Sequence, residues 1–351
     1  MTPSFDKIHL KFKLNGFHYD TEQLKDAAYS FVKEGDPYEK SIGDFLLDWM
    51  DSNETIKLYT SGSTGPKKAI QISKLSMVNS AIATGDHFKI TPGDTALLCL
   101  PVDYIAGKMM LVRAMILGLE IEIIEPEALV VFDYEKKYDF CAMVPLQLRK
   151  SQDRIQNIKT LIVGGASITS DVKKAVQNLE TCIFETYGMT ETVSHIAVKQ
   201  INGEAKSKYF TLLPGITISQ DDRNCLVIDA PDLRDEKIIT NDIVEIHSPT
   251  EFQIVGRFDN MINSGGVNLF PEQIESKLQK RIDQRFIISS LEDEELGDKL
   301  ILVVEGKPGC IDESVFEKLS KFETPREIFY VDKFVETKSR KIQRAQTLAK
   351  I

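Results

Sequence analysis

Strands alternating with helices predict an α/β protein. The expected layout is a large N-terminal part with mostly parallel sheets flanked by helices, then a small β-rich subdomain, then a small α+β domain. Three observations predict it. From about residue 56 to 190, short apolar runs of strand length recur between stretches of helical periodicity. Residues 195–255 hold short β-prone pieces and turns with few helical patterns, as in a small barrel or an added sheet. At 351 residues the chain exceeds what one hydrophobic core usually holds, so two or more domains are expected.

The strands are expected at 56–60, 96–100, 121–124, 140–144, 160–163 and 182–186. Leu75, Val78 and Ile82 mark a helix that starts behind the N-cap Ser73 and closes at Gly85. Val172, Ala175, Val176 and Leu179 mark another, behind Ser170. Pro271 and Glu272 open a later helix, with Ile274, Leu278 and Ile282 four apart. No internal repeat or low-complexity stretch interrupts the pattern.

Composition narrows the function. A formal net charge of −10 argues against a broad nucleic-acid surface and against anionic membranes. Cys99, Cys141, Cys182, Cys225 and Cys310 are scattered and form no CxxC pair, so neither a zinc site nor a disulfide framework is expected. The plain expectation is reduced thiols in a cytoplasmic protein. The N-terminus has no signal-peptide core, and the most apolar region, 95–124, is broken by Asp103, Lys108 and Arg113.

Four motifs carry chemistry. The first is the loop Tyr59-Thr60-Ser61-Gly62-Ser63-Thr64-Gly65-Pro66-Lys67-Lys68. Its glycines free backbone amides to face an anion, its hydroxyls add donors and its lysines add charge: the chemistry of a phosphate grip. Only two residues separate its glycines, so it is not the GxxxxGK[ST] loop of nucleoside triphosphatases. Alone, such a cluster is more often a surface turn. The second is Tyr187-Gly188-Met189-Thr190-Glu191-Thr192, where the strand at 182–186 ends and ligand sites of parallel sheets open. Glu191 offers a hard oxygen for Mg²⁺, Thr190 a hydroxyl for phosphate and Tyr187 a flat face for a base. The third pairs Asp242, an acceptor suited to two ribose hydroxyls, with Arg257. The fourth is the basic run Thr337–Arg344, which alone reads as a solvated tail.

In that order the four motifs resemble the adenylate-forming (acyl-CoA synthetase, AMP-binding) superfamily over residues 56–348. Within it, Tyr187 to Ser194, the segment Leu100 to Gly107 and Val144 to Leu148 most resemble the o-succinylbenzoate–CoA ligases of menaquinone biosynthesis. The resemblance implies an AMP-binding domain over 1–258 with a shortened N-terminal region, and a mobile C-terminal lid over 259–351. It implies ATP, Mg²⁺ and coenzyme A, with acyl-adenylate formation followed by thioester formation. Another aryl-, short-chain or fatty acyl-CoA synthetase of the same fold, or a non-catalytic nucleotide-binding homologue, is the alternative.

The family's roles carry over to Thr60, Ser61, Gly62, Ser63, Thr64 and Lys68 on phosphate. Gly164, Gly165 and Ala166 line adenine and the acyl site, and Tyr187 and Gly188 stand beside the base. Thr190 touches phosphate, Glu191 holds the metal, and Asp242 and Arg257 hold ribose. Asp259 is the hinge, Gly265 and Gly266 border the thiol channel, and Lys341 is the catalytic lysine of the lid. Tyr104, Lys108, Ser194 and His195 are acyl-pocket candidates, with Arg113 a less well placed source of charge than Lys108. Where the family usually has glycine before the ribose aspartate, Asn241 stands here; asparagine tolerates positive φ. The shortened region before residue 56 removes a usual buttress of the site, and a homodimer would compensate.

Overall fold

The computed structural model describes residues 4–59, 69–336 and 342–351. A small hairpin, β1 (Lys13–Leu14) and β2 (Phe17–His18), precedes two antiparallel helices, α1 (Thr21–Glu34) and α2 (Pro37–Met50). Asp20 caps α1 by accepting from the Gln23 amide, and Pro37 sits at the first turn of α2. Phe45, Leu46 and Trp49 bury the inner face of α2.

β3 (Thr55–Tyr59) and β4 (Ala69–Ser73) pair antiparallel as a separate two-stranded sheet. The strand expected at 56–60 therefore lies outside the parallel sheet, because its neighbour in sequence pairs with it directly. α3 (Lys74–Phe88) follows, with Ser73 Oγ accepting from the Leu75 and Ser76 amides as expected. Gly85 does not close it. The helix runs on to Lys89, whose φ of 55° ends it, and Gly85 instead admits Leu117: a Cβ there would lie 2.9 Å from a Leu117 methyl carbon.

β5 (Thr95–Leu98), α4 (Ile105–Leu117), β6 (Glu120–Ile123), β7 (Tyr138–Met143), α5 (Pro145–Ser151), β8 (Ile158–Val163), α6 (Ser170–Ala175) and β9 (Cys182–Gly188) form the alternating region. Its strands pair in parallel in the order β9-β8-β7-β5-β6. α6 starts behind Thr169 rather than Ser170 and stops before Val176. The reason is Asn202, 1 % exposed, whose amide donates to the Val176, Leu179 and Thr181 carbonyls and replaces further helical bonds.

The β-rich region does not stand apart. β10 (His195–Gln200), β11 (Phe210–Leu212), β12 (Thr217–Gln220), β13 (Cys225–Asp229), β14 (Ile238–Ser248) and β15 (Glu251–Arg257) continue the same sheet antiparallel; with β1 and β2, which join its other edge through β6, it has thirteen strands among the described residues. A short connection suffices because β9 and β10 run antiparallel.

β16 (Ile262–Ser264), β17 (Val267–Leu269), β18 (Phe286–Asp293), β19 (Gly297–Glu305) and β20 (Glu327–Val331) form a second, five-stranded sheet. α7 (Pro271–Leu278) packs on it and α8 (Arg344–Leu348) closes the chain. Ile282 lies beyond α7 yet joins the same apolar cluster as Ile274 and Leu278. Arg344 donates to both oxygens of Glu275 and ties the end of the chain to α7. Among the described residues no helix is long and apolar enough to cross a membrane.

Candidate active site

The parallel half of the sheet ends at Tyr187-Gly188, where β9 hands over to β10 through a 3-10 turn, Thr190–Thr192. Gly188 is required here: a Cβ would sit 2.4 Å from the Ser194 carbonyl oxygen and 2.5 Å from His195 Cα. The buried hydroxyl of Thr192 staples the turn, accepting from the Met189 amide at 2.9 Å and donating toward the Ser194 carbonyl at 2.7 Å. Val193 then takes φ 66° and ψ −51°, while the Ser194 amide donates to the Thr192 carbonyl at 2.7 Å. That is a γ-turn of the positive-φ kind, strained for a β-branched residue. It turns the chain between the exposed Glu191 and the pair Ser194–His195.

One end of the site is a network around Asp242. Strand pairing sets Asp242 of β14 directly opposite Arg257 of β15. Asp242 is 8 % exposed and accepts from Tyr187 Oη at 2.6 Å and from Arg257 Nη1 at 3.0 Å. Burial, reinforced by this carboxylate, raises the Tyr187 pKa, so its hydroxyl stays a donor. The Tyr187 ring is largely buried against Phe210 and Phe252, with little face left to solvent. Arg257 also reaches Asp259 at 2.9 Å, and Asn241 Nδ2 donates to both Asp259 oxygens, at 3.0 and 3.2 Å. Arg223 completes the chain, donating to Asn241 Oδ1 at 3.0 Å with its guanidinium over the Phe258 ring.

The other end is Arg113. It lies inside α4, 2 % exposed, with Nη2 donating to Ser194 Oγ at 2.7 Å and lying 3.5 Å from His195 Nδ1. Its Nε has no hydrogen-bond partner among the described residues, and neither has Nε2 of His195. No carboxylate pairs with it there, and residues 1–3, 60–68 and 337–341 contain no Asp or Glu. Burial pushes the guanidinium down to about 9, still cationic at neutral pH. Burial, aided by Arg113, drives the His195 pKa well below its ordinary value and keeps the ring neutral.

The two basic candidates of α4, Lys108 and the less favoured Arg113, meet different surroundings. The Lys108 ammonium sits 4.7 Å from the Phe45 ring centroid of α2, in the field of Asp103, Asp48 and Asp44, whereas Arg113 meets Ser194 and His195. Tyr104 is the half-exposed residue before α4. Gly164, Gly165 and Ala166 form the loop after β8, with Gly165 at φ 87°. Gly265 and Gly266 make the exposed turn between β16 and β17. Beside that turn, a wide depression of about 750 Å³ is lined by Asn263, Glu292, Asp293, Glu294, Leu296, Gly297 and Asp298. Thr60, Ser61, Gly62, Ser63, Thr64, Lys68 and Lys341 lie outside the described residues.

A magnesium ion finds one suitable donor. Glu191 is exposed and its carboxylate has no hydrogen bond or ion pair among the described residues. Among the described residues no cluster of three His, Cys, Asp or Glu stands ready to cage a metal. One protein carboxylate plus phosphate oxygens and waters is the usual Mg²⁺ arrangement, so the residues fit the ion.

The pattern of the AMP-binding enzyme family matches residues 50–224. An acyl-CoA synthetase (AMP-forming)/AMP-acid ligase II-like protein of Dyadobacter fermentans, of known structure, is 34 % identical, with 93 % of this chain and 98 % of that one covered and a TM-score of 0.62. The chain belongs to the AMP-binding enzyme family. It is 22 % identical to the 2-succinylbenzoate–CoA ligase of Lactococcus lactis, over 93 % of this chain and 77 % of that protein. It shares its fold with the o-succinylbenzoate coenzyme A synthetase of Bacillus subtilis, solved in complex with ATP and magnesium ion. There the TM-score is 0.70 at 18 % identity, over 94 % of this chain and 82 % of that one.

Proposed function

We propose that the chain is an ATP-dependent acid–CoA ligase acting on a dicarboxylic acid, o-succinylbenzoate in particular. The acid's carboxylate attacks the α-phosphorus of ATP, the bond to pyrophosphate breaks, and the acyl-adenylate forms. The CoA thiol then attacks the acyl carbon and AMP leaves. The observation that carries the substrate class is Arg113, a buried cation with no acidic partner among the described residues, bonded to Ser194 two residues of chain beyond the turn that bears Glu191. A second carboxylate on the acid would give it the anion it lacks. A fatty acid would leave that charge buried and unpaired, which is costly.

Within this reading, Asp242 and Arg257 hold the ribose, Tyr187 keeps Asp242 oriented, and Gly164 to Ala166 border the base and the acyl group. Mg²⁺ held by Glu191 would offset triphosphate charge and polarise the transferring phosphorus. No general base is needed, because the attacking carboxylate is already ionised at neutral pH. Residues 259–351 act as a lid turning about Asp259, which withdraws Lys341 after adenylation and brings Gly265-Gly266 to the thiol channel.

The deciding experiment is acid-dependent pyrophosphate exchange with o-succinylbenzoate, benzoate, acetate, a fatty acid and amino acids. Exchange with o-succinylbenzoate well above the rest is expected; equal exchange with benzoate or a fatty acid would overturn the substrate. Lys341→Ala should slow adenylation about 10²–10³-fold yet spare thioester formation from preformed acyl-adenylate. Equal loss in both half-reactions would contradict the lid.

A further inference from the structure

His195 lines a cavity of about 30 Å³ in which Arg113 takes no part. Ser80 and Asn79 of α3, His195 and the turn Leu213-Pro214-Gly215 line it. A void of this volume accommodates one or two water molecules when its walls are polar. Two of its wall residues carry buried polar atoms with no hydrogen-bond partner among the described residues: Ser80 Oγ and His195 Nε2. Ser80 is 2 % exposed and His195 7 % exposed.

The arrangement at Nδ1 says which of these atoms needs what. A guanidinium can only donate, and Arg113 Nη2 lies 3.5 Å from His195 Nδ1. Ser194 Oγ, 3.2 Å from the same nitrogen, accepts from Arg113 and keeps its own proton to donate. Nδ1 must therefore present a lone pair, and the single proton of the neutral ring sits on Nε2. That N–H is an unmatched donor on one residue that lines the cavity, and Ser80 Oγ is an unmatched group on another.

We propose that this cavity is a binding site for one ordered water, which accepts from His195 Nε2–H and bonds Ser80 Oγ. Ser80 is thereby a positioning residue: through the water it fixes the His195 tautomer, and through Nδ1 and Ser194 it fixes the aim of Arg113. The part that concerns the acid rests on the reading that Arg113 binds a substrate carboxylate; the water site and the tautomer do not.

The test has two arms that fail separately. In a high-resolution crystal structure, a water within hydrogen-bond distance of both Ser80 Oγ and His195 Nε2 is expected. A dry cavity, or an oxygen of the acid in that place, overturns the proposal. Nitrogen-15 NMR of the imidazole should show the Nε2–H tautomer in the unaltered protein, without acid present. Ser80→Val fills the cavity with methyl groups and should shift the ring toward the other tautomer, while Ser80→Thr retains the original one. An Nδ1–H ring in the unaltered protein, or no change in Ser80→Val, overturns the proposal. If the valine variant does not fold, the tautomer of the unaltered protein and the crystal structure still decide the water site. For turnover, Ser80→Val should raise KM for the acid about tenfold and leave KM for ATP unchanged, with Ser80→Thr restoring it. If no acid on the panel is activated, the substrate reading fails, and the crystal and NMR arms still decide the water site.

Discussion

Asp242 and Arg113 are both buried charges, 8 % and 2 % exposed, bonded to Tyr187 before the turn at 190–192 and to Ser194 after it, and the protein treats them in opposite ways. Asp242 is already answered: Tyr187 and Arg257 donate to it, and Arg257 is in turn shared with Asp259. Among the described residues Arg113 has two neutral neighbours and no anion. The first arrangement is rigid before any ligand arrives. The second holds an unfavourable desolvation, which on the proposed function an incoming carboxylate relieves. On that proposal, pairing at the nucleotide end contributes stability, whereas the lack of pairing at the acid end contributes affinity at the expense of stability.

Substitutions at the two ends should therefore move stability in opposite directions. Arg113→Met is expected to have the largest effect. It removes a charge-assisted contact and should raise KM for the acid about 10²-fold. The same change should stabilise the fold by about 1 kcal/mol or more, read by urea unfolding, because an apolar side chain replaces a lone buried cation. A variant that is both inactive and less stable would break the comparison. Asp242→Ala comes next. It strips an acceptor from Tyr187 and Arg257, and should cost about 1–3 kcal/mol in the same unfolding measurement. KM for ATP should rise about tenfold and KM for the acid should hold. Asn241→Ala is smaller still. Its bonds reach Asp259 at a half-exposed position, so stability should change by about 0.5 kcal/mol or less. A turnover change beyond about threefold would show that Asn241 holds the hinge more firmly than exposed bonds of this kind allow.

The smallest expected effect is no effect. Burial lowers the His195 pKa from 6.5, so the folded protein binds fewer protons than the unfolded chain just below that pH. The resulting penalty grows only as pH falls through 6.5 and is absent above it. KM for the acid should be flat from pH 7 to 8. A histidine-like inflection in that range, lost in a His195 variant, would mean that the ring charges when the acid binds.

The two ends also differ in how readable they were from sequence. Asp242, Arg257 and Asp259 lie in motifs: residue type suggested a joint role for the first two, the family resemblance added the third, and a hairpin brings the first two together at a fixed register. Arg113 lies in a helix whose sequence is apolar on nearly every side, and periodicity cannot say which face meets the site. Lys108, nearer the helix start, looked better placed, but that end of α4 faces α2. The usable signal was different: α4 buries eight residues, so a charge among them needs a partner or a ligand. The parallel strands were visible as apolar runs, with ends shifted by a residue or two. The end of α6 was not visible, since it depends on Asn202, more than twenty-five residues downstream. Gly85 misled for a related reason: its use is contact with α4 rather than a stop.

The turn at Val193 has a practical corollary. Because its φ of 66° is imposed from both sides by Thr192, Glu191 and Ser194 hang from one bent spring rather than from separate supports. Relaxing that spring displaces Glu191 and Ser194 together. If they serve metal and acid as proposed, grafting a new acid preference onto this scaffold means transplanting 190–195 as a single cassette, since exchanging Ser194 or His195 alone leaves the bend tuned to its former cargo.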